Sequence, residues 1–559
     1  MLGLESGQRS FFDAGLAVEG LLEAGSFYEV LYRLGPKLLS DEDFADCYDV
    51  TTGRPSVPPS RMFKLVLLQA YEDLSDRKAI ERMAFDLRWK AVLGLEVHDR
   101  PVGQATLVEF RARVQLHEKM EEAFGRFVDG LLEAGVISAD GVQLVDSSAI
   151  WGRGAVEDTY NLIGSAVRKL LGVTARRRSR TPEEMAGELG LVLTAPQESG
   201  SLKGRAEIDW SDPEERRALL NELVQEARQV LEAGSREDVE ADPAVVEAAA
   251  LLRRILVQDL APVPDPDEED DPPDDDTGQA VLELDQEVEI RQGVARDRVV
   301  SVGDPEMRHG HKSQNRRWDG YKAHVSVEAE HGFITAVEVS AANVYDGEAA
   351  PALIERYREQ GLKPAATVGD MAYSAAELRQ WAAEQGTEIV AQVPPASARK
   401  GCFSKEDFEI DLEAETVTCP AGHTTARWTA NSTGGRTFTF DGTVCASCPL
   451  REQCTTKDPA RMRSTGRGRS VRWHALEGIL QAARTAEGTE RVQELLSRRW
   501  MVEQGIARLM RRGLRQARYV GRAKVRYQAL AAALVTNLVR LRNLMMTGDP
   551  APSLAWSPA

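Results

Sequence analysis

The chain has 559 residues and a mass of 61.5 kDa, a prior of three or four domains at roughly 150 residues each. Its 42% hydrophobic and 28% charged residues exclude a wholly disordered or collagen-like polymer. No run approaches the ~18 uninterrupted apolar residues that suggest a membrane span. Met1 to Phe12 shows no basic segment leading into an apolar one, so no secretory signal is expected. Six cysteines in this length are too few for a disulfide scaffold.

Net charge is -19 and the pI about 5.1, which averaged over the chain disfavours nucleic acid. The distribution reverses that expectation. Thr455 to Asn543 carries about 20 Lys/Arg against about 6 Asp/Glu, a local balance near +14 that leaves the rest near -33. Much of the acidity lies in one run at 262–277, PVPDPDEEDDPPDDDT. A basic C-terminal third in an acidic protein points to one polyanion-binding face.

Residues 1–135 read as a helical domain for DNA binding or dimerisation. Ser60, after Pro58-Pro59, is placed to cap a helix from Arg61 to Leu74, in which Leu65, Leu68 and Tyr71 recur at helical spacing. A second helix opens at Asp76 and runs toward Trp89, and a third begins near Thr106. Within 136–155, Val142 to Val145 is a short apolar strand ending at Asp146. Residues 156–300 read as a helical insertion followed by the acidic, Pro-rich linker. In 301–400 the period changes to two. Tyr321–Glu328 and Phe333–Val339 alternate as paired strands about a His331-Gly332 turn. Then come a helix from Pro351 to Gln360, a strand Ala365–Val368 ending at Gly369-Asp370, a helix Ala375–Glu384, and a strand from Glu388 to Val393. Without the insertion this is the order of an RNase H-like mixed α/β sheet. Residues 401–460 are Cys-, Thr- and Gly-rich with short strands; 461–546 return to basic helix; 547–559 form a tail.

Asp146 and Asp370 each end a short apolar strand, and a mixed sheet can bring two such ends together at one edge. Glu503 lies in the helical stretch 491–509. Bunched carboxylates repel unless a cation neutralises them, and hard divalent cations prefer oxygen ligands. Cys419, Cys445, Cys448 and Cys454 form C-x25-C-x2-C-x5-C, with His423 four residues after the first. This set suits a structural zinc ion, with His423 as a possible substitute ligand; a reduced, buried thiol cluster is the alternative. Cys47 and Cys402 read as ordinary cysteines. Arg508, Arg511, Arg512, Arg515 and Arg518 follow Glu503 and are candidates for DNA backbone contacts. Lys322 is a further phosphate candidate, with His324 on the same strand face. Trp473, Trp500 and Tyr519 read as core residues rather than base-stacking ones. Asn343 fits an Asx turn, and Asp346 stands close enough in sequence to help shape a site.

Several segments together resemble the DDE transposases of bacterial insertion sequences. They are VPPSRMFKLVLLQAYEDLSDRKAIERM from Val57, TLVEFRARV from Thr106 and LVDSSAIWGRGAVEDTYNLI from Leu144. Next come DGYKAHVSVE from Asp319, ITAVEVSAANVYDGEAAPALI from Ile334, TVGDMAYSAAEL from Thr367, and the tail RRWMVEQGIARLMRRGLRQARYVGRAKVRYQAL from Arg498. The resemblance implies an RNase H-like catalytic core behind a helical N-terminal domain. Asp146, Asp370 and Glu503 would be its catalytic acids, holding two Mg2+ (or Mn2+) ions. It further implies double-stranded DNA as substrate (element ends and target), a homodimer, no membrane association, and a bacterial cytoplasmic, nucleoid-associated location. Arg499 matches the arginine that the family has four residues before its Glu. Met510 stands where the family has lysine, leaving Arg508 or Arg511 to supply the cation, and Leu496 stands where it has tyrosine. The implied function is cleavage of insertion-sequence ends and joining of the 3'-OH to target DNA. The alternatives are an inactive transposase-derived DNA-binding protein, or a metal-dependent nuclease without strand transfer.

Overall fold

The computed structural model describes residues 1–546 apart from 6–9, 19–21, 24, 50–51, 197–200, 264–285, 314 and 433. The acidic run from residue 264 on and the tail 547–559 therefore lie outside the described residues.

The N-terminal region is helical. Its central helix α1 (Pro59–Glu72) buries Met62, Phe63, Leu65, Leu67 and Leu68. Ser60 is not its cap. Pro58 holds the cap position and Pro59 sits at the first helical position, where its fixed φ suits the helix and its missing N–H costs no bond. Ser60 instead donates its backbone N–H to Asp41 at 2.8 Å. The helix stops at Asp73, which adopts a left-handed φ of 53°. The helix expected to run toward Trp89 is two: Asp76–Phe85 and Leu87–Leu93. Asp86 leaves helical geometry between them, and its side chain caps the second.

Residues 156–300 build a separate apolar core. Helices α2 (Thr159–Arg177), α3 (Pro213–Gly234) and α4 (Pro243–Asp259) pack Leu170, Leu223, Val230, Leu252 and Ile255 together. All three have Asp at the N-cap, and in α3 and α4 Pro follows it.

The main sheet contains β1 (Gln143–Trp151), β2 (Arg308–Ser313), β3 (Arg316–Glu328), β4 (Ile334–Ala341), β5 (Ala366–Val368) and β6 (Glu388–Val390). Its spatial order is β4–β3–β1–β5–β6, and β2 shares the β3 edge with β4. Strand β3 runs antiparallel to β1, β2 and β4, whereas β1, β5 and β6 run parallel. This is the RNase H-like arrangement. The strand β2 was not expected from sequence; RHGHKS is too polar to show an apolar alternation.

One face of the sheet is covered by α5 (Asp346–Glu359), and the other by α6 (Trp500–Leu509) and α7 (Arg522–Met546). Helix α7 is long and apolar enough to cross a membrane by length and composition. In this fold it is the core helix: Val525, Leu530, Leu534, Val535 and Leu538 are buried. Fully buried Asn537 fixes its position, accepting from Ile334 N and donating to Ile334 O, both at 2.8 Å. The C-terminal part is not continuous helix, because Trp473 ends a strand (Arg467–Trp473) and residues 512–513 break the chain between α6 and α7.

Candidate active site

The β1–β5 register brings the first two acids together. Gln143 pairs with Thr367 and Leu144 with Val368. The pairing ends there; two residues further on along each chain come Asp146, still inside β1, and Asp370, just past β5, near enough for the Asp370 charge to act on Asp146. There the backbone leaves β5, and Asp370 caps a short 3-10 turn by accepting from Ala372 N at 2.9 Å. Asp146 lies opposite Val325 of β3, on the face that carries Leu144 and Val327. Helix α6 crosses this face so closely that a Cβ on Gly505 would lie 3.0 Å from Val327 Cγ2.

The site is rich in like charge, and both aspartates are half-buried. Burial pushes the Asp146 carboxyl up to about 6 from an ordinary 3.8. The Ser147 backbone N–H donates to it at 2.7 Å and opposes the rise; Asp370 adds to it, while Arg499 and Lys312 oppose it. Glu503 sits one helical turn after Arg499 on α6 and is exposed. Its carboxylate makes no hydrogen bond or ion pair among the described residues. The structure thus brings Asp146 and Asp370 together, and sets Glu503 on the neighbouring helix without contact to either.

Three contributors had little or no sequence signal. Asp346, at the start of α5, accepts from Ser147 Oγ and from Lys322 Nζ, each at 2.8 Å, and so ties β1 to β3 beside Asp146. Tyr373 is buried below the acids, with no partner for its hydroxyl. Burial raises its pKa far above the ordinary range, and Asp346, Asp146 and Asp370 add to the rise. Lys312, on β2, is an exposed cation within electrostatic reach of Asp146.

The phosphate candidates divide. Lys322 is largely buried and holds Val344 O and Asp346, so it is a clamp rather than a free cation. His324 beside it is kept neutral by burial, its Nε2 against Ser340 Oγ at 2.8 Å. Asn343 forms no Asx turn; its Nδ2 donates to Arg296 O and Asp297 Oδ1. Arg512 lies over the Tyr71 ring at 4.6 Å and donates to Tyr71 O. Arg518 donates to Leu74 O at 2.6 Å and pairs with Asp73. Gly513 between them has φ 81°, and a Cβ there would collide with the Asp73 carboxylate. Arg512 and Arg518 therefore fasten the C-terminal segment to the end of α1. Arg508, Arg511 and Arg515 remain the more open cations. Of the aromatics, Trp473 stacks on Phe438 at 5.0 Å, Tyr519 is packed under Arg111, and Trp500 is exposed.

Cys419, His423, Cys445, Cys448 and Cys454 line one cavity of about 30 Å³. All four thiols are free. Cys419 and His423 close a tight turn through Cys419 N to His423 O at 2.8 Å. Gly468 leaves room for the Cys445 sulfur, since a Cβ there would collide with it. Burial pushes Cys454 up to about 11, and Arg469 opposes this while the neighbouring thiols add to it. No three of these donors lie mutually within 4.8 Å. The trio that does so among the described residues is Asp46, Cys47 and His117. There Lys119 Nζ already stands 3.0 Å from Asp46, filling the place of a cation.

Two family models match this chain: a transposase DDE domain over residues 291–538, and a transposase domain (DUF772) over residues 17–113. Asp370 and Glu503 fall inside the first match, and Asp146 lies ahead of it. No curated protein and no solved structure matches the chain. An RNase H-like sheet behind a helical N-terminal region agrees with both matches: the chain belongs to the DDE transposases of insertion elements.

Proposed function

We propose that the protein cleaves the ends of its insertion element and joins the freed 3'-OH to target DNA. The observation that supports this reading is the parallel β1–β5 register, whose last pair, Leu144–Val368, stands two residues before Asp146 on one chain and Asp370 on the other. Asp146, Asp370 and Glu503 would hold two Mg2+ or Mn2+ ions. The donor set fits: oxygen ligands only, with one carboxyl made basic by burial and by its neighbour's charge. Bound there, the ions would activate the attacking oxygen and stabilise the leaving one. The chain's own part is positional. Asp346 holds Ser147 and Lys322 so that β1 presents Asp146 at a fixed height. Arg499 and Lys312 moderate the charge at Asp146, and the open arginines after Glu503 hold the DNA backbone. Met510 packs against the core, so the cation that the family pattern has at that position comes from Arg508 or Arg511 on either side. DNA ends and target are the partners, the acting form is a homodimer, and the site of action is the bacterial cytoplasm at the nucleoid.

Purified protein incubated with element-flanking DNA and Mg2+ or Mn2+ should yield nicked ends and then joined products. Nicks without joined products would make it a nuclease. No nicking under any condition would favour the DNA-binding reading, which Met510 and Leu496 motivate.

The cysteine module would carry a structural zinc ion on Cys419, Cys445, Cys448 and Cys454, with His423 as a possible substitute. Four thiols, drawn from a turn, two short helices and the link between them, face one cavity, and that donor chemistry fits zinc. The thiols would close on the ion and release protons as it binds. Metal analysis should find about one zinc per chain. Cys445→Ser/Cys448→Ser should lose it and expose residues 401–473 to proteolysis. A zinc-free protein with an equally protected module would end this assignment.

A further inference from the structure

Tyr373 is buried although it stands only three residues past Asp370. Packing explains its ring. Gly369 gives the ring its place, since a Cβ there would lie 2.7 Å from Tyr373 Cγ and Cδ2. The short turn after β5 then holds the ring still. Asp370 accepts from Ala372 N at 2.9 Å through its side chain and from Tyr373 N at 3.0 Å through its carbonyl. On the far side of the turn, Ala372 O lies so close to α5 that a Cβ on Gly347 would be 2.8 Å from it. No such packing explains the hydroxyl. It is buried without a hydrogen-bond partner among the described residues, so it has given up its bonds to water without replacement. Phenylalanine would fill the same space without that cost. The charges that reach the phenol are those of Asp346, Asp146, Asp370 and Arg499, so the unpaired donor is enclosed among the acids of the site.

These acids differ in what they can still accept. Asp346 takes Ser147 Oγ on one oxygen and Lys322 Nζ on the other. Asp370 is engaged as the cap of the turn. The Asp146 carboxyl accepts only the Ser147 N–H among the described residues, and an ionised carboxylate offers about four acceptor sites. The last torsion of an aspartate is soft, so this carboxyl can turn to meet a donor that the fold holds in place. We propose that Tyr373 is a positioning residue: its hydroxyl donates to the Asp146 carboxylate and fixes the orientation in which that carboxylate meets a divalent ion. The assignment rests on the metal-binding reading of the acids. Hydrogen bonds behind a metal ligand commonly account for about 10- to 100-fold in metal affinity.

Calorimetric titration of the metal-free protein with Mn2+ tests the role, counting the binding that Asp370→Asn removes. Tyr373→Phe should weaken that binding about 10- to 100-fold. In EDTA the same variant should melt no lower than wild type, because the hydroxyl it loses has no partner there. A hydroxyl with a purely structural bond would give the opposite pair: a lower melting temperature in EDTA and an unchanged Mn2+ affinity. Either member of that pair would overturn the proposal. If Asp370→Asn removes binding that Tyr373→Phe leaves intact, the proposal alone fails. If Asp370→Asn removes no Mn2+ binding, the reading of the acids fails and the role of Tyr373 falls with it.

Discussion

Asp370→Asn and Asp146→Asn should each reduce end cleavage and strand transfer by at least about 10³-fold, with DNA binding within about twofold of wild type. The size follows from what is removed. A ligand that fixes an ion at the reacting phosphate acts mainly in the transition state, where one preorganised electrostatic contact contributes about 10²–10³ in rate. Losing a ligand of a shared metal site loses more than one contact. Both side chains keep their size on amidation, so β1, β5 and the 3-10 turn after Asp370 should persist. Glu503→Gln should behave alike if α6 delivers its carboxylate to the same ions once DNA and metal are bound. Single-turnover nicking of plasmid DNA, with gel-shift binding in parallel, measures all three. Near-normal strand transfer by any one of them would remove that residue from the catalytic set.

The second large effect is on stability. With its carboxyl raised from 3.8 to about 6, Asp146 holds a proton more tightly in the folded protein than in the unfolded chain. The carboxyl therefore destabilises the metal-free fold fully above about pH 6, and the penalty fades as pH falls from 6 to 3.8, vanishing only below that, where both states are protonated. At 1.36 kcal/mol per pKa unit the penalty is roughly 2–3 kcal/mol at neutral pH. Metal-free Asp146→Asn should accordingly melt higher than wild type at pH 7.5 and at nearly the same temperature at pH 4. Mg2+ should reverse the neutral-pH order, raising the wild-type melting temperature and leaving the variant almost unmoved, because the ion binds only the ionised carboxyl. Thermal melts at the two pH values with EDTA or Mg2+ make the comparison. A variant that melts no higher than wild type in EDTA at pH 7.5 would show that Asp146 is not strained by its burial.

Local sequence carried a large part of this protein. The alternation of YKAHVSVE and the apolar runs before Asp146 and Asp370 already specify strands beside acids; the expected end of the first strand at Asp146 does not hold, because β1 runs on to Trp151, paired with β3 along its whole length. Side-chain period and burial are local properties of a strand, and in this core they agree with the final sheet. The cysteine spacing likewise announced a cluster, because the turns at Cys419–His423 and Cys445–Cys448 form within a few residues.

What required the tertiary structure was every choice among chemically equivalent residues. Nothing in the run of arginines after Glu503 tells Arg512 and Arg518, which fasten the chain to Tyr71, Asp73 and Leu74, from Arg508 and Arg511, whose side chains bond only to residues four positions back. Lys322 reads as a free cation until Asp346, 24 residues away, is seen to hold it. Tyr373 reaches its site only through the turn after β5. A side chain's charge is written in the sequence. Whether that charge meets solvent, an acid or a ligand depends on residues hundreds of positions away, and only the packed chain brings them within range.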